Sequence, residues 1–150
     1  MEASMDRMWD AECGQQLVFW KREMDMLINC TNHPYEIWGE AQRNGAGCYG
    51  GVLDFPFPQI DPRMTTDELR ELAGKTAEQI EEMYPEAVLL AGEFSFTFML
   101  ADKLLTDGVR VVCSCSRRMT TETKKPDGTV EKTAVFAFEG FRDYAYYEER

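Results

Sequence analysis

The stretch from residue 88 to residue 118 constrains this chain most. An apolar run, Val88-Leu89-Leu90-Ala91, precedes Gly92-Glu93-Phe94-Ser95, and an amphipathic segment then runs over residues 96–105 to Gly108. A second apolar run over residues 109–114 leads into Arg117 and Arg118. Short apolar runs bounded by turn residues read as buried strands, and the segment between them has helical spacing. A strand, helix and strand in this order imply parallel pairing, because the chain must cross over the sheet before adding the second strand. The helix then opens above the strands' C-terminal ends, with its free N–H groups and positive dipole end facing the crevice there. Two arginines leaving the neighbouring strand reach the same edge. The unit is expected to bind something anionic.

The same alternation extends upstream. Residues 26–30 read as the first strand, followed by the polar turn Thr31-Asn32-His33-Pro34. Pro34 is suited to open a short helix carrying Tyr35, Ile37, Trp38 and Ala41, which Gly45 and Gly47 stop. Residues 52–56 form a second strand, ended by prolines at 56, 58 and 62. Residues 65–84 give the clearest helix: Thr65 and Glu68 have capping-box spacing, Leu69, Leu72, Ala73, Ile80 and Met83 share a face, and Pro85 ends it. Beyond the fourth strand, residues 119–125 and 129–138 are Thr- and Val-rich and flank Pro126-Asp127-Gly128, the signature of a hairpin. The expected fold is α/β, a mostly parallel sheet with helices on both faces and a C-terminal β-hairpin. Residues 1–23 are an extension, either a helix that packs on the domain or a partner, or a disordered segment. Residues 24–150 are a single domain. Ligands of such sheets sit outside the strands' C-terminal ends. Three loops are expected to meet there, at residues 31–34, 92–95 and 114–118.

Composition narrows the classes. The 150 residues are 44% hydrophobic and 12% aromatic, enough for one domain with a real core. No apolar run reaches the ~20 residues of a membrane helix, and no secretory signal pattern opens the chain, so a soluble cytoplasmic protein is expected. The net charge is −11, and it is uneven: residues 1–101 hold 7 basic against 18 acidic side chains, whereas residues 102–150 hold 9 of each. Such a chain is poorly suited to long nucleic acid, although a small anion needs only a few donors. The five cysteines include no C-x-x-C pair, and His33 is the only histidine. No metal site is expected, and the cysteines read as buried free thiols, with Cys113 and Cys115 on the same side of one strand.

The individual site candidates each carry two readings. Gly92 and Ser95 form no G-x-G-x-x-G or Walker A motif, so no nicotinamide or P-loop cofactor is expected. Ser95 is either a helix cap or, with Gly92 and Thr97, a phosphate ligand. Arg117 and Arg118 are either solvated charges or phosphate forks. Strand neighbours face opposite ways, and Arg117 with Ser116 is the favoured pair. His33 serves the turn or an acid–base step. Glu93 is an acid, a base, a ribose ligand or an anion resting on the helix dipole. Phe94, in the turn, is placed to stack on a base.

Taken together, several segments resemble small CRISPR-associated proteins related to the CARF superfamily and its ring nucleases. They are Asn29-Cys30-Thr31-Asn32-His33-Pro34, the Pro-rich stretch 55–62, residues 88–95, Ser114-Cys115-Ser116-Arg117, and the closing stretch 134–144. The resemblance covers residues 26–144. It implies a Rossmann-like domain, a homodimer, a role in antiviral defence, and a cyclic oligoadenylate or other small nucleotide as ligand. It further implies metal-independent cleavage, in which a ribose 2′-hydroxyl attacks the adjacent phosphodiester. Carried onto this chain, it makes His33 and Glu93 the catalytic candidates. Thr31, Asn32, Gly92, Phe94, Ser95, Ser116 and Arg117 become the ligand-binding ones. The alternatives are a non-catalytic cyclic-nucleotide sensor and a small α/β enzyme acting on another nucleotide.

Overall fold

The computed structural model describes residues 25–150, together with the backbone of two short strands, β1 (Arg7–Trp9) and β2 (Gln16–Val18), which pair antiparallel. The rest of the N-terminal stretch, where a helical or disordered extension is expected, lies outside the described residues.

The domain is built from β3 (Met26–Cys30), α1 (Glu40–Ala46), β4 (Gly51–Asp54), α2 (Thr66–Glu81), β5 (Ala87–Leu90), α3 (Phe94–Thr106), β6 (Val111–Lys124) and β7 (Val130–Asp143). Five strands form one sheet in the order β4-β3-β5-β6-β7. The first four are parallel, and β7 returns antiparallel to β6. Because β3 is flanked by the second and third strands of the sheet, the chain winds outward in both directions from it. The switch point lies between β3 and β5.

Alternation along the strands splits the core in two. Ile28, Val88, Leu90 and Val111 face α2 and α3, meeting Ala73, Ala77 and Ile80 from α2 and Phe96, Leu100 and Leu104 from α3. Leu27, Leu89 and Val112 face the other way, onto Trp38, Ala46 and Tyr49 around α1. Helices therefore cover both faces, as the sequence suggests. Strands buried on both faces read as continuous apolar runs, and β5 (Ala-Val-Leu-Leu) is buried throughout. Each fully buried Leu, Ile or Phe contributes about 1.5–3 kcal/mol. The α2 capping box forms: Glu68 N–H donates to the Thr65 hydroxyl, and Thr65 N–H to the Glu68 carboxylate. Among the described residues no helix is long and apolar enough to cross a membrane.

Three expectations change. Pro34 opens only a 3-10 turn (Tyr35–Ile37), and α1 begins later, behind Gly39. The fourth strand does not end at residue 114: β6 runs on to Lys124, and the appended hairpin is its own continuation. Ser114, Ser116 and Arg117 are therefore strand residues rather than a loop. The register of Leu89 against Val112 places everything after Ser114 beyond the end of β5, so the β6–β7 ladder projects past the sheet edge as a two-stranded ribbon. Of the four described cysteines, all free, only Cys30 is buried; Cys113 and Cys115 are half-buried and Cys48 is exposed.

Candidate functional site

At the switch point the loop after β3 is held by a buried side chain. Asn29, 1% exposed, donates through Nδ2 to the Asp54 carboxylate at 2.8 Å and to the His33 carbonyl at 2.8 Å. Its Oδ1 accepts from the Thr31 hydroxyl at 2.7 Å. Asp54, at the end of β4, also accepts from Tyr35 N–H at 3.1 Å. Trp38 Nε1 adds a third hold on the loop, donating to the His33 carbonyl at 2.9 Å. The carbonyl of His33 is thus what fixes the turn. Its imidazole is exposed and has no hydrogen-bond partner among the described residues.

On the other side of the switch point Glu93 is the N-cap of α3. Its carboxylate accepts from Phe96 N–H at 2.7 Å, from Ser95 N–H at 3.2 Å and from the Ser95 hydroxyl at 2.7 Å. The Phe96 amide first, and then the Ser95 hydroxyl, hold this carboxyl below its ordinary range. The end of α3 reserved by the sequence for an external anion is occupied by the chain's own carboxylate. Ser95 and its amide are committed to that cap. Thr97, one turn in, is buried, and its hydroxyl lacks a partner among the described residues.

Gly92 serves packing. A Cβ there would lie well inside van der Waals contact of Phe57 Cζ and Cε2, and 2.7 Å from Cε1. The Phe57 ring occupies that space and meets Phe96 edge-on, centroids 5.3 Å apart. Phe94 points away, 91% exposed, with Phe98 one turn further along the same outward stripe.

Two adjoining depressions cover the strands' C-terminal ends. One, of about 250 Å³, is lined by Asn29, Thr31, Asn32, Asp54 and Phe57 among others; the next, of about 350 Å³, by Asn32, Phe57, Gln59, Ile60 and Glu93. They share Asn32 and Phe57 and form one crevice. Neither is lined by Lys or Arg, and the crevice presents two carboxylates, those of Asp54 and Glu93. A larger depression of about 540 Å³ lies between α2 and α3. Its charged lining is surface Arg70, Asp102 and Lys103, with Lys103 paired to Asp107. It lies on the outer side of two helices, not at the strand ends, where α/β sheets gather ligands.

Of the sequence candidates, the fold brings Thr31, Asn32 and Glu93 to the crevice, with Gly92 behind Phe57. His33, Phe94 and Ser95 flank it without lining it. Ser116 and Arg117 sit on the projecting ribbon, where Arg117 donates to Glu139 at 3.0 Å. Asp54, Phe57 and Gln59 are lining residues that residue-by-residue reasoning missed. The cue for them was the Pro-rich exit of the second strand, which had to descend over the sheet edge. No group of His, Cys, Asp and Glu suited to a metal ion is present among the described residues.

Fold and site together define a mixed α/β domain, with a mostly parallel five-stranded sheet and a polar, acidic crevice at the C-terminal ends of its strands. The chain belongs to the uncharacterized protein MJ1673 family, whose model matches residues 25–142. No curated protein and no solved structure matches it.

Proposed function

We propose that this domain is a Rossmann-like module of the CARF type and binds a cyclic oligoadenylate in the switch-point crevice. The observation that carries the reading is the crevice itself. Asn32 and Gln59 offer amide groups to base edges, Phe57 offers an aromatic wall, and Asp54 offers an acceptor to a ribose hydroxyl. The lining favours the donor-rich parts of a nucleotide over its phosphates. The resemblance in sequence supplies the particular ligand. The strand order, with the first strand beside the second and third, resembles that of flavodoxin-like sheets apart from the antiparallel last strand, and supports a ligand at the switch point.

Ring cleavage through a ribose 2′-hydroxyl would ask the protein for geometry and a proton acceptor. A second reading, binding without cleavage, is favoured by Glu93. Its carboxylate is saturated by the α3 cap and held low, which makes it a weak base.

The test is to incubate the protein with cyclic tri-, tetra- and hexa-adenylate in EDTA, following binding by calorimetry and products by chromatography. Binding of one ring size, weakened at least about tenfold by Asn32→Ala, supports the reading. Linear products ending in a 2′,3′-cyclic phosphate identify a ring nuclease, whereas binding without product over hours selects the sensor. If none of the three rings binds or is cleaved, both readings fall.

A further inference from the structure

The ribbon formed by residues 116–138 is covered only at its base, where Phe138 packs on Gly45 of α1 and on Phe141. Beyond that it continues the sheet past the end of β5, and residues 116–136 are exposed on both faces. Cross-strand partners Met119 and Val135 lie on one face, and Arg118 and Phe136 on the other; Met119, Val135 and Phe136 are all more than half exposed. A two-stranded ribbon alone is marginal in water and gains independent stability only by packing its side chains against something.

We propose that this ribbon is a dimer arm, lying across the C-terminal edge of a second copy of the chain and bringing its Arg118 face to that copy's crevice. The argument is charge complementarity. Residues 116–138 hold five basic and three acidic side chains, net +2, which leaves −13 for the rest of a chain of net −11. The crevice lining holds the Asp54 and Glu93 carboxylates and no cation. Arg118 has no ion-pair or hydrogen-bond partner among the described residues. The ribbon leaves its own molecule at the edge where the crevice opens, so a two-fold axis near that edge sends each arm over the other copy's site.

Size agrees. Nine ladder residues per strand make an arm about 30 Å long and about 10 Å wide, or roughly 300 Å² per face. Two arms on two receiving surfaces bury about 1,200 Å² in total, the lower end of stable interfaces. The arm's service to an anionic ligand rests on the function proposed above, since Arg118 supplies a cation the crevice lacks. The dimer does not depend on that reading.

Sedimentation of the full chain without nucleotide, from sub-micromolar to high-micromolar concentration, tests it. The parent should be a dimer that weakens as salt rises. Met119→Ser/Phe136→Ser, and a chain in which residues 117–137 are replaced by an Asn-Gly turn, should each dimerise roughly thirtyfold more weakly or not at all. The double variant should keep the parent's circular dichroism, and the shortened chain the parent's helical signal. Hydrogen exchange should show concentration-dependent protection of residues 31–34 and 57–60 as well as the ribbon. A parent that stays monomeric overturns the proposal, as do variants that dimerise like the parent. Protection confined to the outer face of α2 and α3 overturns the placement. No nucleotide enters these measurements, so a missing dimer and a missing ligand are separate results.

Discussion

Gly92 and Glu93 show how adjacent residues in one motif come to do different work. Gly92 is small because Phe57 needs the space its side chain would fill. Gly92→Ala should cost about 1–3 kcal/mol in urea unfolding, and pairing it with Phe57→Leu should return part of that loss. If the ligand alone required the glycine, the single variant would unfold like the parent. Glu93 is the anion its own helix asked for. Its carboxyl titrates below the ordinary value of 4.5 in the folded chain, so between the two values the unfolded chain binds more protons. Its contribution is present above the ordinary value and is lost as pH falls through the folded one. Glu93→Gln should flatten the acid limb of a stability–pH curve, and an unchanged limb would show that the cap carries no weight.

Among the elements, β3 and β4 are joined by more than their ladder. Asn29 links the end of one to Asp54 at the end of the other and pins the loop that edges the crevice. Asn29→Ala removes two hydrogen bonds, leaving the His33 carbonyl to Trp38 Nε1 and the Asp54 carboxylate to Tyr35 N–H, which should cost about 1–3 kcal/mol. It should also speed hydrogen exchange across residues 31–38, while α2 exchanges as before. The elements read most plainly from sequence were those with two agreeing signals. β3 was bounded as read, and α2 had both its cap and its stripe. The continuity of β6 escapes the sequence: residues 119–125 read as a hairpin strand, but residues 114–118 carry no apolar alternation and read as a loop. The Gly92–Phe57 contact was invisible for another reason: nothing local in either segment records a packing partner far away along the chain.

At the scale of the whole molecule, Cys30 reports on global opening. Burial at the end of β3 pushes its thiol from 9.0 up to about 12. Between those values the unfolded chain binds fewer protons, so stability should fall as pH rises across that window. At neutral pH a thiol reagent should label Cys48 at once, and Cys30 only at the rate of global unfolding, read by mass spectrometry of peptides. Early labelling of Cys30 would mean that the sheet opens locally at its switch point.

The register of the β6–β7 ladder shifts once, between Cys115 and Ser116, where Glu139 is the extra residue opposite. Bulges bend a strand and add twist. This one lies between the packed part of the sheet and the projecting part, so it acts as a gimbal: it sets where the ribbon aims while leaving what the ribbon is made of untouched. Deleting Glu139 removes one surface ion pair, with Arg117, which is worth little by itself. The deletion should keep the fold and every apolar side chain of the ribbon, yet abolish self-association in sedimentation. Aim and composition are then separable properties of a single hairpin, and a one-residue change in length is enough to tell them apart.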